Sequence, residues 1–317
     1  MNSKKILISG TNGFLGSFLM KSKFSEIHEL IPVSRNSENR IVTSVIEKSQ
    51  SELPINKPVK FPSMNNADVA IHLAGLAHET KNASDRNSYF QANVELTESF
   101  LHSASELGVK HFLFFSTIKV YGEGFSNDAI KEDSKPSPSD IYSETKLLAE
   151  ELIQKKANSL GMSYTIIRPP LVYGPNPKAN ILSIMNWIQK GYPIPISSRL
   201  NRRSFVSTYN IESMLLQILE SKASKNQIFL VQDPSPFSTL DLIEFIAEAF
   251  GKNSRTLKIP HNLGKIIFSA LGKGRAWDKL NGDLYMDDRS SRDKLSWSPP
   301  HSTREGIYSM VQGLFKI

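Results

Sequence analysis

The chain has no cysteine among its 317 residues, which excludes disulfides, Cys-ligated zinc, iron–sulfur clusters and thiol nucleophiles. Long apolar runs are missing as well. No stretch approaches the ~20 residues of a membrane span, and Ile6-Leu7-Ile8 near the N-terminus is far too short for a signal-peptide core. A cytoplasmic protein without stable membrane insertion is expected. The positive balance is modest, 38 Lys+Arg against 31 Asp+Glu for a net +7. It lacks the local basic clusters with interleaved aromatics that would form a nucleic-acid stripe, so it fits solubility or an anionic small molecule. No metal site is read, and no repeat or low-complexity tract is present. With 39% hydrophobic and 22% charged residues, disorder as the main state is excluded. At ~150 residues per domain, the length suggests roughly two domains or one large α/β unit.

What is present is alternation. Short apolar runs at Lys5 to Ser9, Glu29 to Ser34, Val69 to Leu73, His111 to Ser116 and Ser163 to Arg168 read as buried strands. Helix-period segments lie among them at Leu15 to Ser22, Ala92 to Leu107 and Tyr142 to Ser159. This order calls for an α/β fold of Rossmann type, a doubly wound parallel sheet covered on both faces. After Arg168 the prolines 169, 170, 175, 177, 193 and 195 break the pattern into short pieces, as for a smaller substrate-binding lobe. A helix at Ile211 to Glu220 and a strand at Gln227 to Val231 read as a return to the sheet, and Ser238 or Thr239 caps a helix to Phe250. The expected division is residues 1–172 with 205–233 as the dinucleotide-binding domain, and 173–204 with 234–317 as the lobe. His261 to Leu271 is apolar enough for a membrane-surface helix. Packing inside the lobe is the expectation, because Lys265 is its only internal anchor.

Gly10-Thr11-Asn12-Gly13-Phe14-Leu15-Gly16 follows the first strand and opens the first helix. Glycines there permit a tight turn and let backbone N–H groups approach a pyrophosphate, while the helix start adds partial positive charge. The second strand ends in Ser34-Arg35, where an acid would hold the ribose 2′-hydroxyl of NAD. A small Ser and a cation instead suit the 2′-phosphate of NADP(H), although Arg35 also reads as an ordinary surface residue. Asp68-Val69 precedes the third strand and His72-Leu73-Ala74-Gly75 ends it. Small residues at that end let a dinucleotide cross the carboxyl edge of the sheet, and His72 reads as packing rather than catalysis.

Tyr142 and Lys146 stand four apart at a helix start, on one face. A phenol of pKa near ~10 is a poor base, but an adjacent ammonium stabilises the phenolate and draws that pKa down. Ahead of them, the strand ending Ser116-Thr117 presents hydroxyls at the same edge as the glycines. Cradle, hydroxyl and Tyr/Lys pair in this order resemble the extended short-chain dehydrogenase/reductases, in particular the NAD(P)-dependent nucleotide-sugar epimerase/dehydratase family. The resemblance covers nearly the whole chain. It rests on Gly10, Gly13 and Gly16; His72-Leu73-Ala74-Gly75; Asn93; Ser116 to Gly122; Tyr142 and Lys146; and Arg168-Pro169-Pro170-Leu171-Val172-Tyr173-Gly174-Pro175.

The resemblance implies that Thr117 is the hydroxyl partner, with Ser116 its competitor, that Tyr142 is the acid/base, and that Lys146 holds the nicotinamide ribose. It implies a dinucleotide lying against Gly10, Asn12, Gly13, Phe14, Leu15, Gly16, Ser34, Arg35, Asp68, Val69, Leu73, Ala74, Gly75, Asn93, Ser116, Tyr142, Lys146 and Pro169. Arg203 matches the family's holder of a nucleotide diphosphate and Asn180 its phosphate-contacting Asn, with Thr117 also on the substrate. An ion pair for Arg203 and a helix cap for Asn180 are the structural alternatives. Arg292 to Trp297 resembles the family's closing segment and reads as packing. The 4,6-dehydratase branch carries an Asp-Glu pair after its Thr, where this chain has Ile118-Lys119, so dehydration is not expected. The forms Ser-Thr-Ile-Lys-Val and Arg-Pro-Pro-Leu-Val-Tyr-Gly-Pro look most like bacterial surface-polysaccharide enzymes, both UDP-glucose 4-epimerases and C4 reductases of UDP-4-keto-6-deoxy amino sugars. A UDP-sugar substrate is implied, with NADP(H) favoured, and a homodimer is allowed. A catalytically idle dinucleotide sensor is the rival reading from another class.

Overall fold

A computed structural model of the chain describes residues 2–33, 66–77, 86–122, 128–177, 179–198 and 200–314. Ser34 and Arg35 lie outside these. The chain divides into two compact units. The first comprises Met1–Val120, Pro136–Arg168 and Ile218–Phe229, the second Tyr121–Lys135, Pro169–Gln217 and Leu230–Ile317.

In the first unit β1 (Lys5–Ser9), β2 (Glu29–Val33), β3 (Val69–His72), β4 (His111–Phe115) and β5 (Ser163–Arg168) pair in parallel. Ile6, Leu7 and Ile8 of β1 and Phe112, Leu113 and Phe114 of β4 have no exposed surface. Such uninterrupted apolar runs are what a sheet covered on both faces demands. The strands are flanked by α1 (Phe14–Leu19), α2 (Lys23–Ile27), α3 (Arg86–Phe90), α4 (Leu96–Glu106) and α5 (Ile141–Lys156). A π-helical segment, Gln91–Glu95, joins α3 to α4. Phe100, Leu101, Ala104, Ala149 and Ile153 press the longer helices onto Leu7, Ala70 and Phe112.

The second unit holds α6 (Ala179–Gln189), most of α7 (Thr208–Glu220), α8 (Thr239–Ala249) and α12 (Thr303–Leu314). Two small parallel pairs accompany them. β6 (Leu171–Tyr173) pairs with β8 (Phe205–Ser207), and β7 (Ile194–Ser197) with β10 (Thr256–Ile259). Its core joins Met185 and Ile188 of α6, Ile243 and Ile246 of α8, and Met310 and Val311 of α12. Ser238 caps α8 in a capping box with Asp241. After α9 (His261–Ala270) and α10 (Gly274–Asn281) comes α11 (Arg289–Leu295), which ends in the left-handed Ser296; beyond it Trp297 bonds Ser213.

The sheet has the order β2-β1-β3-β4-β5-β9, with β9 (Gln227–Leu230) at its edge. Chain order therefore reverses beside β1, and the crevice beyond the carboxyl ends of β1 and β3 is the switch point where doubly wound sheets bind ligands. The units part differently from the sequence expectation. Residues 121–135, 169–172, 205–217 and 230–233 belong to the second unit, where β8 pairs with β6 and the Ile130 N–H bonds the Tyr285 carbonyl at 3.0 Å. Helix α9 packs in the second unit through Gly264 and Phe268 against Trp277, but, unlike the expectation, it leaves Leu263, Ile266, Ile267 and Leu271 exposed. Among the described residues no helix is long and apolar enough to cross a membrane.

Candidate active site

The turn leaving β1 is built so that only glycine fits. Gly10 has φ +75°, and a Cβ there would lie 2.6 Å from the Ala74 nitrogen. A Cβ on Gly16 would meet the Gly10 carbonyl oxygen at 2.2 Å. The Gly13 N–H bonds that same oxygen at 2.9 Å, and no side chain caps α1. Gly10, Asn12, Gly13, Phe14, Leu15 and Gly16 thus form one close backbone turn that touches the end of β3 at Leu73 and Ala74. The residues present fit a dinucleotide pyrophosphate, which needs N–H groups bare of side chains.

A hydrogen-bonded chain orders these strand ends. The Ala74 N–H donates to the Ser9 hydroxyl at 3.3 Å, and Ser9 bonds His72 Nδ1 at 2.5 Å. Thr97 donates to the Asn93 carbonyl at 2.6 Å, leaving its oxygen to accept from His72 Nε2 at 2.9 Å. His72 is wholly buried among Phe100, Phe112 and Phe114, so it packs and positions. Asn93, on the π-helical segment, exchanges hydrogen bonds with the Leu76 backbone at 2.8 and 3.2 Å and donates to Thr145 at 3.0 Å. It therefore ties the segment after β3 to α5.

Helix α5 starts at a capping box. The Ser143 N–H donates to Asp140 at 2.7 Å, and Asp140 N–H donates to the Ser143 hydroxyl at 3.2 Å. This fixes Tyr142 and Lys146 in the first turns. The Tyr142 hydroxyl is hydrogen-bonded to Thr117, just beyond β4. Lys146 is buried, with Nζ 4.0 Å from the centre of the Phe114 ring. A Cβ on Gly75 would lie 3.8 Å from that Nζ, which places the ammonium beside the end of β3. Ser116 is buried, and its Oγ has no hydrogen-bond partner among the described residues. The Tyr, Thr and Lys of the sequence reading therefore converge at the carboxyl edge that holds the glycine turn.

Their electrostatics differ from the sequence expectation that Lys146 lowers the Tyr142 pKa. Burial pushes the Tyr142 hydroxyl up to about 12, opposed by its bond to Thr117 and reinforced by Asp140 and Tyr89. Burial also pulls Lys146 down to about 7, with Glu150 opposing. Desolvation is the largest influence on both groups. Glu150, which sequence reading did not single out, is itself wholly buried and paired with Arg168. Nε of that arginine donates to its two oxygens at 3.0 and 3.2 Å, and Nη2 to one of them. The available signal was an acid one helical turn after Lys146.

Asp68 and Val69 are corrections. In a parallel strand they stand at the amino end of β3, opposite the glycine turn, and the Asp68 carboxylate accepts from the Lys5 N–H at 2.8 Å. Both line a cavity of about 620 Å³ with Lys4, Lys110 and Lys225, so neither belongs to the dinucleotide crevice. In the second unit, Arg203 Nη1 donates to the carbonyls of Lys279 and Gly282 at 2.8 and 3.0 Å. Asn180 lies in the first turn of α6, and Pro169 directly follows β5. The chain has no group of three or more His, Asp or Glu able to hold a metal among the described residues.

A glycine turn at the switch point of a parallel sheet, facing a Tyr/Thr/Lys set, defines a dinucleotide-dependent redox site. Residues 6–231 match the model of the NAD dependent epimerase/dehydratase family, and the chain belongs to that family. It is 32% identical over 319 residues to a UDP-glucose 4-epimerase of Vibrio cholerae, covering 99% of this chain and 96% of that one. Two solved structures share the fold. MoeE5 in complex with UDP-glucuronic acid and NAD has a TM-score of 0.74 at 20% identity, over 98% of both chains. RMD from Pseudomonas aeruginosa, complexed with NADPH, has 0.74 at 19% identity over 98% and 99%. Membership of an NAD dependent family makes a nicotinamide dinucleotide the cofactor.

Proposed function

We propose that the protein reduces a UDP-linked 4-keto hexose at C4, using NADPH, in the supply of surface-polysaccharide precursors. The observation that carries this reading is the Tyr142 phenol, protonated across the neutral range and bonded to Thr117 one turn from Lys146. A phenol held in that form is a ready general acid for a carbonyl oxygen. The bound nicotinamide supplies the hydride that reaches C4. Thr117 orients the carbonyl oxygen by hydrogen bonding, and Tyr142 delivers its proton to that oxygen as charge develops there. Lys146 stabilises the resulting Tyr142 phenolate, which regains a proton from solvent. Ketone, hydride and proton together make the alcohol. Dehydration has no support: Ile118 is buried and Lys119 pairs with Asp140 at 3.9 Å, so no carboxylate follows Thr117.

The 4-epimerase relative of Vibrio cholerae favours a second reading, in which the same groups work in both directions on UDP-glucose or UDP-GlcNAc with the dinucleotide retained. In either case Arg203 and Asn180 hold the nucleotide diphosphate. The deciding experiment offers UDP-glucose, UDP-GlcNAc and UDP-4-keto-6-deoxy-GlcNAc, each with and without NADPH. Stoichiometric NADPH oxidation with the keto sugar alone supports reduction. Conversion of UDP-glucose or UDP-GlcNAc with no net cofactor change overturns it in favour of epimerisation, and no turnover of any sugar favours the idle sensor. For the cofactor, Ser34 and Arg35 imply NADPH binding tighter than NADH by ~1–3 kcal/mol, as a charge-assisted pair with the 2′-phosphate. Equal affinities, unchanged in Arg35→Ala, would refute that preference.

A further inference from the structure

Helix α9 turns its more apolar side outward. At 100° per residue Leu263, Ile266, Ile267 and Leu271 fall in one stripe, and they are 49%, 67%, 41% and 65% exposed. The helix is anchored by its other side. A Cβ on Gly264 would sit 2.1 Å from the Trp277 ring, so the backbone rests directly on that buried indole. Phe268 stacks on the same ring with centroids 4.9 Å apart, and Lys265 pairs with Asp278 at 3.3 Å. A helix of a globular unit ordinarily buries such a stripe and shows its polar side to water. Here that stripe stays exposed.

The charge flanking the stripe is mainly positive. Residues 249–277 carry six basic side chains (Lys252, Arg255, Lys258, Lys265, Lys273 and Arg275) and no Asp or Glu, with Glu248 and Asp278 at the two borders, and the latter is taken up by Lys265. Lys258, Lys265 and Lys273 are exposed. Apolar side chains that can enter the boundary between headgroups and acyl chains, flanked along the chain by the exposed ammonium groups of Lys258 and Lys273, complement an anionic lipid surface. A second copy on the same face would set these cations against each other across a low-dielectric contact.

We infer that α9 docks this protein on the surface of an anionic bilayer, lying in the interface plane without crossing it. Leu263, Ile266, Ile267 and Leu271 insert, while Lys258 and Lys273 lie at headgroup level, each strengthening binding by roughly fivefold. The inference is independent of which sugar is turned over.

The test is flotation of the full chain with vesicles of phosphatidylcholine containing ~30% phosphatidylglycerol, against pure phosphatidylcholine, at low and high salt. The protein is expected to float with the anionic vesicles at low salt and to bind neutral ones at least about tenfold more weakly. Ile266→Glu with Leu271→Glu should weaken anionic binding at least about tenfold, with an unchanged thermal melt because both positions are solvent-facing. Lys258→Ser with Lys273→Ser should weaken it while leaving the stripe intact. Three results overturn the inference: no flotation with anionic vesicles, flotation indifferent to both pairs of substitutions, or a dimer in solution that Ile266→Glu dissolves while vesicles bind nothing.

Discussion

Replacing Glu150 by glutamine tests how charge is balanced within α5. Arg168 and Glu150 have side chains only 4% and 0% exposed, and the arginine spends Nε and Nη2 on the two carboxylate oxygens. A buried pair contributes little relative to an apolar substitute, but breaking one side strands the other charge without water, at ~3–5 kcal/mol. Against a typical stability of ~5–15 kcal/mol, that removes about a fifth or more. Lys146 also loses the carboxylate that supports its charge, so its pKa falls further below the usual lysine range. All three tryptophans, 187, 277 and 297, belong to the second unit, so fluorescence would follow the wrong region. Hydrogen exchange of the β4 and β5 amides under increasing urea reads the first unit instead. A loss below ~1 kcal/mol would refute the reasoning. So would a double variant, Glu150→Leu with Arg168→Met, no more stable than Glu150→Gln alone.

Lys146→Met should abolish turnover yet stabilise the dinucleotide-free protein at pH 6. The folded Lys146 sits at about 7 against 10.5 for an ordinary lysine, so the unfolded chain binds the extra proton between those values. The penalty, up to ~5 kcal/mol, is complete below pH 7 and fades as pH rises toward 10.5, and denaturation curves at pH 6 and 10 should show the variant's advantage only in the first. His111 has the acid-side counterpart, since burial holds it at about 4 against 6.5. Stability should fall by ~3 kcal/mol as pH drops from 6.5 toward 4, and His111→Asn should flatten that limb of a pH–stability profile; an unchanged limb would assign the acid sensitivity elsewhere.

The parallel sheet, the glycine turn and the Tyr/Lys helix were legible because each rests on local rules: apolar runs, glycine spacing, and residues one helical turn apart. Asp68 and Val69 were misplaced because strand polarity decides function at a sheet edge, and four residues of β3 carry them from one edge to the other. The Glu150–Arg168 pair was not legible. It joins α5 to the end of β5, and nothing local in either segment announces that a carboxylate there is buried. Helix α9 misled through its composition, since an apolar period reveals a stripe but not which neighbour, if any, covers it. Gly264 was the clue, as a bare backbone position where a large ring comes close. The raised pKa of Tyr142 also escaped sequence reading, because its largest cause is burial, which is set by tertiary packing.

The central claim is that the Tyr142 phenol exchanges the proton at the C4 oxygen. Tyr142→Phe keeps the ring and removes only the hydroxyl, so its effect should be confined to chemistry. The account predicts turnover lowered by ~10²–10⁴-fold, with dinucleotide Kd within about threefold of the parent. Turnover that survives the substitution, measured on the same preparation that binds dinucleotide normally, would contradict it.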